Sequence, residues 1–223
     1  VQHLISNKSL LLRYKIGKYP LDMVAMFYLR RLKTLLKDNN FDLIWIEKEA
    51  LPWFPVWLEI MLFKGIPYIL DFDDATFHNY DQHKNNLLRF FYGSRLDKLM
   101  SKASLVICGN SYLESRAIKA GSLNTLRLPT AIDLEKYQIK KYINKANKRN
   151  LNYQFKVVWI GSPSTQHYLK IIKKPLQILA RKYHFIFQLI GSQEIVIPSI
   201  QMEIIPWSED TEASLIRNSD IGV

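Results

Sequence analysis

The chain lacks the cysteines that a disulfide framework needs: Cys108 is the single cysteine among 223 residues. A folded chain without disulfides is typical of a reducing compartment. Cys108 lies in the apolar sequence LVICG, whereas a nucleophilic thiol needs a basic and partly exposed setting. We therefore expect an inert, buried thiol, and the sequence argues against both a disulfide-stapled domain and thiol chemistry.

Long hydrophobic runs are also absent. A membrane-spanning helix needs about 18 or more consecutive apolar residues, and the most apolar stretch, residues 50–70, is broken by proline, glycine and charged residues. We find no signal-peptide pattern, no internal repeat, and neither a Walker loop nor a G-x-G-x-x-G motif. We expect residues 50–70 to form a buried helix followed by a buried strand, with peripheral membrane contact left open.

Acidic residues are scarce beside basic ones. There are 20 Asp and Glu against 31 Lys and Arg, which gives a net charge of +11 and a pI near 9.6. Such a charge predicts an anionic partner, and nucleic acid, an anionic membrane surface and a phosphorylated substrate all fit. Single-strand nucleic-acid binders interleave aromatic and basic residues, and this chain has no such stripe. We therefore rank a nucleic-acid-binding module last and expect no nucleic-acid partner.

What the chain does contain is a regular alternation of strand-like and helix-like segments. Strands are predicted at residues 42–47, 66–71, 104–109, 125–129, 155–161, 185–191, 202–207 and from 220 onwards. Helices are predicted at 20–38, 55–64, 87–103, 110–120, 164–182 and 209–218, with Pro175 kinking or splitting the fifth. This alternation predicts an α/β fold built on parallel sheets with helices on both faces.

A basic segment without clear periodicity, residues 134–154, separates two such alternating halves. We predict two Rossmann-like domains, 1–133 and 155–223, joined by this basic linker. The chain begins at Val1 rather than Met and ends in SDIGV, a sequence typical of the middle of a strand. We therefore expect a fragment whose second domain is incomplete.

The sequence ILDFDDATFHNYDQH, residues 69–83, is the most informative segment. In an open α/β sheet, ligands bind at the loops that follow the carboxyl ends of strands. Asp71 and Asp73 form a D-x-D, which is typical of sites that hold Mg²⁺ or Mn²⁺ beside a phosphate. A metal-dependent phosphatase or transferase that uses these two residues is therefore an alternative function. The plain alternative is a solvated polar loop.

Glu47 and Glu49 end the strand that precedes this acidic loop in sequence. If the two strands are neighbours in the sheet, both loops line one crevice. The alternative is that the two glutamates pair with Lys48 and its neighbours on the surface.

In the second half, small residues and an aromatic follow the strands. Gly161 and the hydroxyl residues after it predict an anion site, because a glycine allows close backbone approach and a helix start offers free N–H groups. A plain helix cap by Ser164 or Thr165 explains the same residues. Gly191 and Trp207 follow strands at the same edge of the second sheet, where Trp207 either stacks on a nucleotide base or is buried.

Together these segments resemble glycosyltransferase family 4, the retaining sugar transferases of the GT-B fold. The resemblance covers nearly the whole chain and is carried by IEKEALPWFP, YILDFDDATFHNYDQH, VVWIGSPST, PWSEDTE and SDIGV, in this order and spacing. It implies an acceptor-side domain at 1–133 and a partial nucleotide-sugar-side domain at 155–223, which face each other across a cleft.

The resemblance also implies roles for individual residues. His78 matches the family's cleft histidine and would be the catalytic residue near the donor sugar. The donor diphosphate and nucleotide would lie at Gly161, Ser162, Ser164, Thr165, Gly191 and Trp207. The acceptor side would be shaped by Glu47, Glu49, Asp73 and Asp74. No metal and no cofactor are expected, since the nucleotide-sugar is a co-substrate.

Departures from the family pattern matter as well. Many members carry an Arg just after the glycine and a Lys a few residues on, where this chain has Ser162-Pro163-Ser164-Thr165. The family's paired-glutamate motif would lie beyond Val223, and its first strand with a Gly-rich turn would precede Val1, so we expect these 223 residues to be inactive alone.

The predicted activity is therefore transfer of a hexosyl group, with retention, from a nucleotide diphosphate sugar to a glycan or lipid-linked acceptor. We expect a cytoplasmic protein, with an anionic membrane surface at the inner face as an additional partner.

Overall fold

The computed structural model describes residues 4–5, 9, 19–37, 41–139 and 154–223. The chain divides into two compact units, residues 1–131 and 132–223. Of the predicted linker 134–154, residues 140–153 lie outside the described residues, and residues 134–139 belong to the second unit. The linker and the predicted domain bounds therefore stay predictions.

The first unit is built on a four-stranded sheet. Its strands are β1 (Ile44–Glu47), β2 (Tyr68–Phe72), β3 (Leu105–Cys108) and β4 (Thr125–Arg127), and they lie in the order 1-2-3-4 with every pair parallel. Its described helices are α1 (Leu21–Leu36), α2 (Val56–Leu62), α3 (His78–Asp81), α4 (Asn86–Tyr92), α5 (Arg95–Met100) and α6 (Ser111–Lys119). The predicted parallel α/β architecture is confirmed in this unit.

The core of the first unit lies against β2 and β3. Leu70, Phe72, Val106 and Cys108 are fully buried there. Burial raises the pKa of the Cys108 thiol to about 11, so the thiol stays protonated at neutral pH. The prediction of a buried cysteine is confirmed, and the raised pKa agrees with an unreactive thiol.

The second unit carries a second parallel sheet. Its strands are β5 (Phe155–Ile160), β6 (Phe185–Ile190), β7 (Gln201–Ile205) and β8 (Ile221–Gly222), in the order 7-6-5-8. A 3₁₀ turn (Gln166–Tyr168), α7 (Leu169–Ala180) and α8 (Glu209–Arg217) connect them. The chain reverses its direction of travel across the sheet between β5 and β8. In doubly wound folds such a topological switch point opens a ligand crevice beyond the strand ends.

Two predicted helices differ in detail from the structure. The predicted helix 87–103 is two helices, because the backbone leaves helical geometry at Ser94. This break separates α4, which has no buried residue, from α5, which buries four. The predicted helix 164–182 begins as a 3₁₀ turn, and α7 then runs through Pro175 without a break, so a split at that proline is wrong.

Helix ends elsewhere follow the sequence. The Asn110 side chain accepts a hydrogen bond from the backbone N–H of Leu113 at 3.0 Å and caps α6. After α6, Gly121 adopts φ +89°, the left-handed conformation that ends many helices. In the described part of the chain, no helix is long and apolar enough to cross a bilayer.

Candidate functional site

The carboxyl ends of β1 and β2 lie side by side. Glu47 of β1 is in register with Asp71 of β2, so the loops after these two strands emerge at the same edge of the sheet. The two strands are therefore neighbours, as a shared crevice requires. Four predicted residues lie at this edge: Glu47, Glu49, Asp73 and Asp74.

Lys48 is the centre of a charged cluster at this edge. Its ammonium lies 2.9 Å from Asp73 Oδ1, 3.4 Å from Asp74 Oδ2 and 3.9 Å from Glu47 Oε1. Desolvation lowers the pKa of Lys48, but the hydrogen bonds and charges of Asp73 and Asp74 outweigh it and raise the pKa overall. Three of the four predicted acceptor-side carboxylates therefore surround one cation.

Glu49 has a different environment from the other three. Its carboxylate accepts hydrogen bonds from the Arg95 guanidinium and from the Tyr80 hydroxyl, and its side chain is largely buried. Desolvation raises the pKa of Glu49 more than the charge of Arg95 lowers it. The alternative of a surface pair with Lys48 is therefore wrong for Glu49, whose oxygens are already used inside the protein.

Arg95 and Glu59 form the buried part of the same network. The Arg95 side chain is 1% exposed and the Glu59 side chain 0%, and their charged groups are directly paired. Arg95 also donates to the backbone carbonyls of Leu51 at 2.6 Å and Phe54 at 2.7 Å. These contacts tie α2 and α5 to the loop that follows β1.

That loop, residues 48–54, is held in an unusual backbone conformation. Lys48 and Trp53 adopt φ of +64° and +62°, which is uncommon for residues other than glycine. Glu59 accepts from the Ala50 N–H at 2.7 Å, and Tyr28 donates to the Pro52 carbonyl at 2.8 Å. Strained conformations of this kind persist where the surroundings determine them and are frequent at functional sites.

His78 begins α3, beyond the carboxyl end of β2. Both of its ring nitrogens have partners: Nδ1 lies 2.8 Å from Asp81 Oδ1, and Nε2 lies 2.7 Å from the Tyr112 hydroxyl. Asp81 is on the same short helix, whereas Tyr112 belongs to α6, which follows β3. The fold therefore assembles this group from the loops after β2 and β3.

A cavity of about 1320 Å³ opens in the first unit beside β1. Its lining combines aromatic and apolar side chains such as Phe41 and Trp45 with charged ones. The residues singled out from the sequence that line it are Glu47, Glu49, Asp71 and Asp73, and the basic ones are Arg31, Lys37, Lys48 and Lys64. Asp74 and His78 are not part of this lining.

In the second unit, Gly161, Gly191 and Trp207 lie together at the ends of β5, β6 and β7. Gly191 adopts φ +79°, and a Cβ placed on it would lie 2.4 Å from the Gly161 carbonyl oxygen and 3.2 Å from the Trp207 Cβ. Only a glycine at 191 permits this approach of three strand ends. The structure thus brings together three residues that are 30 and 16 positions apart in sequence.

The hydroxyl residues after Gly161 form a compact turn. The Ser162 N–H donates to Thr165 Oγ1 at 3.1 Å, and the Ser162 and Ser164 hydroxyls are 2.6 Å apart. Thr165 occupies the N-cap position of the 3₁₀ turn, but its side chain makes no capping hydrogen bond there, and α7 begins only at Leu169. The alternative of a plain side-chain cap is therefore wrong, and the turn lies next to the switch point between β5 and β8.

Trp207 is exposed rather than buried, with 55% of its surface accessible. Its indole N–H donates to the carboxylate of Glu212 on α8, and the Tyr137 hydroxyl donates to the same carboxylate. The hydrogen bonds from Tyr137 and then Trp207 lower the pKa of Glu212. The indole is therefore fixed at its edge, while part of its surface is available for stacking.

The environment of Asp71 and Asp73 does not favour a metal ion. Asp73 is paired with Lys48, and Asp71 Oδ2 accepts from the Trp45 indole at 3.3 Å. Within the described ranges, no group of three or more His, Cys, Asp or Glu side chains is arranged to hold a metal.

Several residues of these clusters were not identified from the sequence. They are Glu59, Tyr80, Asp81, Arg95, Tyr112, Glu212 and Arg116, whose guanidinium lies 3.0 Å from Asp81 Oδ2. Tyr112 and Arg116 occupy positions i and i+4 of one helix, a spacing that places both on one face. Arg95 gives no comparable local signal, because its partners Glu49 and Glu59 lie 46 and 36 residues away.

Comparison with known proteins concerns the fold. No protein-family model matches the chain, and no curated protein matches it. A solved structure of trehalose-6-phosphate synthase, from work on enzymatic glycosyltransfer with retention that used bisubstrate glycomimetics, is similar to it with a TM-score of 0.58 and 12% identity. The similarity covers 99% of this chain and 62% of that chain.

At this identity the similarity establishes the fold alone. The chain has a mixed α/β architecture with two parallel sheets, consistent with a GT-B-like, Rossmann-type fold, and the predicted fold class is confirmed. Assignment to family 4 in particular stays a prediction.

Proposed function

We propose that the protein is a retaining glycosyltransferase that moves a hexosyl group from a nucleotide diphosphate sugar to a glycan or lipid-linked acceptor. The observation that carries the proposal is the similarity of fold to trehalose-6-phosphate synthase along 99% of the chain. This chain spans 62% of the length of that protein. Membership of family 4 is part of the same proposal.

The second unit supplies the proposed donor site. The proposal is supported by the crevice position of Gly161, Ser162, Ser164 and Thr165 next to the switch point, where doubly wound folds bind nucleotides. Neither Gly161 nor Gly191 carries a side chain, so a diphosphate can come close to the backbone at these strand ends. The N–H groups of the two glycines donate to the carbonyls of Ile190 and Ile205, so the hydroxyl groups of the turn after Gly161 would be the donors to the diphosphate. The exposed Trp207 adds a stacking surface for the base.

The first unit supplies the proposed acceptor side. Its cavity combines aromatic walls with both signs of charge, a combination suited to a sugar that carries a phosphate. The acceptor would meet Lys48 together with the carboxylates that surround it, which are Glu47, Asp73 and Asp74. Glu49 would act indirectly, because its buried contacts with Arg95 and Tyr80 fix the conformation of the loop after β1. His78 would orient the sugar, and the barrier would fall through donors aimed at the charge of the leaving diphosphate.

The proposed reaction uses no metal and no cofactor beyond the nucleotide-sugar. The rival is a metal-dependent phosphatase or transferase with Asp71 and Asp73 as ligands. Calorimetric titration with Mg²⁺ and Mn²⁺ separates the two. Tight binding that Asp73→Asn abolishes would favour the rival.

Trp207 gives a direct test of the donor site. Nucleoside diphosphates and nucleotide-sugars, titrated into the protein, should quench its tryptophan fluorescence. Base stacking is worth about 1–3 kcal/mol, so Trp207→Ala should weaken nucleotide affinity by roughly tenfold or more, measured by calorimetry. The control is Trp57→Ala, which removes a similarly exposed indole from α2. Equal affinity of the Trp207→Ala variant and the wild type would contradict the donor site, as would failure of every nucleotide to bind.

An anionic membrane surface is the additional partner that we propose. Its support is α4, on which Leu87, Phe90 and Phe91 are 67%, 81% and 69% exposed, with Arg89 on the same helix. Aromatic and basic side chains together favour the interface of an anionic bilayer.

Sedimentation with vesicles tests this surface. We expect binding to vesicles that contain phosphatidylglycerol, and at least tenfold weaker binding after Phe90→Ser with Phe91→Ser, since burial of each large apolar side chain is worth about 1.5–3 kcal/mol. The control variant is Leu123→Ser, at an equally exposed apolar residue outside α4. If the double variant and the control bind alike, α4 is not the docking element.

A further inference from the structure

His78 is one end of a continuous chain of polar contacts. Its Nδ1 lies 2.8 Å from one carboxylate oxygen of Asp81, and the other oxygen lies 3.0 Å from the Arg116 guanidinium. Arg116 in turn donates to both carboxylate oxygens of Asp97, at 2.7 and 3.0 Å. The hydrogen bonds that Arg116 donates to Asp97, together with the charges of Asp97 and Asp81, raise the pKa of Arg116, which therefore stays cationic throughout.

Packing fixes the same group from one side. The ring of Phe77, which is 1% exposed, lies 4.6 Å from the His78 ring in an edge-to-face arrangement. The Arg116 guanidinium lies 4.7 Å from the centroid of the same phenyl ring. Arg116, which makes two hydrogen bonds to Asp97, therefore fixes the position of Asp81. The imidazole of His78 packs against the buried ring of Phe77.

The chemistry of the two His78 partners decides where the proton lies. A carboxylate held by Arg116 only accepts hydrogen bonds, so His78 must donate from Nδ1. In the neutral imidazole the other nitrogen then carries a lone pair, and the Tyr112 hydroxyl, 2.7 Å away, donates to it.

We propose that Asp81 and Arg116 are positioning residues that fix neutral His78 as the Nδ1-protonated tautomer, so that Nε2 accepts a hydrogen bond from Tyr112 in the free protein. The next step rests on the proposed function. Tyr112 is more than half exposed, so a hydroxyl group of a bound sugar can take its place as the donor to Nε2. His78 then acts on the sugar as an oriented hydrogen-bond acceptor. Until the ligand binds, the Tyr112 hydroxyl donates to Nε2 in its place.

Nitrogen-15 NMR of the imidazole at a pH at which His78 is neutral tests the tautomer, with His78→Gln to assign the signals. We expect Nδ1 in the protonated range and Nε2 in the unprotonated range for the wild type. This spectrum alone is decisive, because a neutral His78 protonated at Nε2 would overturn the proposal whether or not any variant folds.

Two variants of Asp81 then separate orientation from charge. In Asp81→Asn the amide oxygen still accepts from Nδ1, so the Nδ1-protonated form should persist. In Asp81→Ala the ring should shift towards the Nε2-protonated form that free imidazole side chains prefer. An unchanged tautomer in Asp81→Ala would contradict the role of Asp81. Tyr112→Phe is the control, since it should leave Nδ1 protonated.

Kinetics of the full-length protein test the step that depends on glycosyl transfer. Asp81→Ala should lower kcat by roughly 10- to 100-fold, the loss expected from a misplaced group, and Asp81→Asn should restore part of it. Equal kcat values for wild type and Asp81→Ala would overturn the link to catalysis. The expected tautomer together with no turnover of any nucleotide-sugar would instead refute the proposed function and leave the positioning role standing.

Discussion

The carboxyl edges of the two sheets differ in the side chains that they carry. At the carboxyl edge of the first sheet, charged side chains are held by other charged side chains, as in the buried Arg95 network and the Lys48 cluster. At the carboxyl edge of the second sheet, Gly161 and Gly191 bring bare backbone together beside an exposed indole. One edge is organised by ion pairs, and the other by the absence of side chains.

This difference matches two kinds of recognition. A fixed set of charges suits the proposed acceptor, whose groups must be oriented, whereas strand ends without side chains leave room for the proposed diphosphate. Ion pairs stabilise the first edge, whereas the second edge requires a close backbone approach. Variants that remove a charge should therefore destabilise the first edge, and variants that add a side chain should destabilise the second.

The largest effect should follow the loss of the buried arginine. Arg95→Met leaves Glu59 without its charged partner, and breaking a buried pair from one side costs about 3–5 kcal/mol of unfolding free energy. The matched control is Arg127→Met, whose half-exposed side chain lies 3.5 Å from Glu114 and should be worth less than about 1 kcal/mol. Urea denaturation measures both, and similar losses in the two variants would show that the Arg95 network does not organise the first edge.

The next largest effect should come from the second edge. In Gly191→Ala the added methyl group would lie 2.4 Å from the Gly161 carbonyl oxygen, and the left-handed backbone is unfavourable for alanine. Together these effects should cost about 3 kcal/mol. Gly65→Ala is the control, because Gly65 adopts φ +78° with no atom within 4 Å of an added Cβ.

The two glycine variants therefore differ in the close contact alone. Gly65→Ala should cost about 1 kcal/mol. If thermal denaturation gives equal losses for the two variants, the approach of the strand ends at Gly191 is not a constraint.

The smallest effect concerns the exposed part of the first edge. Lys48→Met should lower the unfolding free energy by less than about 1 kcal/mol, because the Asp73 side chain is about half exposed and solvent screens the pair. A double-mutant cycle with Asp73→Asn measures the coupling.

The pH dependence of this coupling has a defined sign. Desolvation raises the pKa of Asp73, but the hydrogen bond and charge of Lys48 outweigh it and lower the pKa overall. The stabilisation from Asp73 is therefore present above its unfolded pKa of about 4 and is lost as the pH falls through the lowered native value. Because the pKa of Lys48 is raised, its part is lost only as the pH rises through that raised value. A coupling that grows on acidification would contradict the ion pair.

The elements of this comparison differ in how far the sequence predicts them. The strands are predictable because each is a short apolar run that ends in polar residues or glycine. Gly191 and Trp207 are predictable as positions at strand ends, but the hydrogen bond of the exposed Trp207 to Glu212 on α8 is not. Periodicity also fails at Ser94, because the apolar spacing continues through 87–103. The local signal there is the pair Gly93-Ser94, which stands at the C-cap of α4 and the N-cap of α5.

Glu49 shows the limit most clearly. The family resemblance implies an acceptor-side carboxylate at this position, and the structure pairs that carboxylate with Arg95, 46 residues later. Long-range pairing of this kind is set by packing of α2 and α5, which no local pattern records. The same holds for His78, whose position after β2 is predictable while its partner Tyr112 comes from α6.

The stereochemistry of the product tests the central claim most directly. The full-length protein is supplied with a panel of nucleotide diphosphate sugars and glycan or lipid-linked acceptors, and proton NMR determines the anomeric configuration of the new glycosidic bond. The account predicts a product that keeps the configuration of the donor sugar. A product of inverted configuration would contradict it, and so would phosphate release that requires Mg²⁺ or Mn²⁺ and is lost in Asp73→Asn.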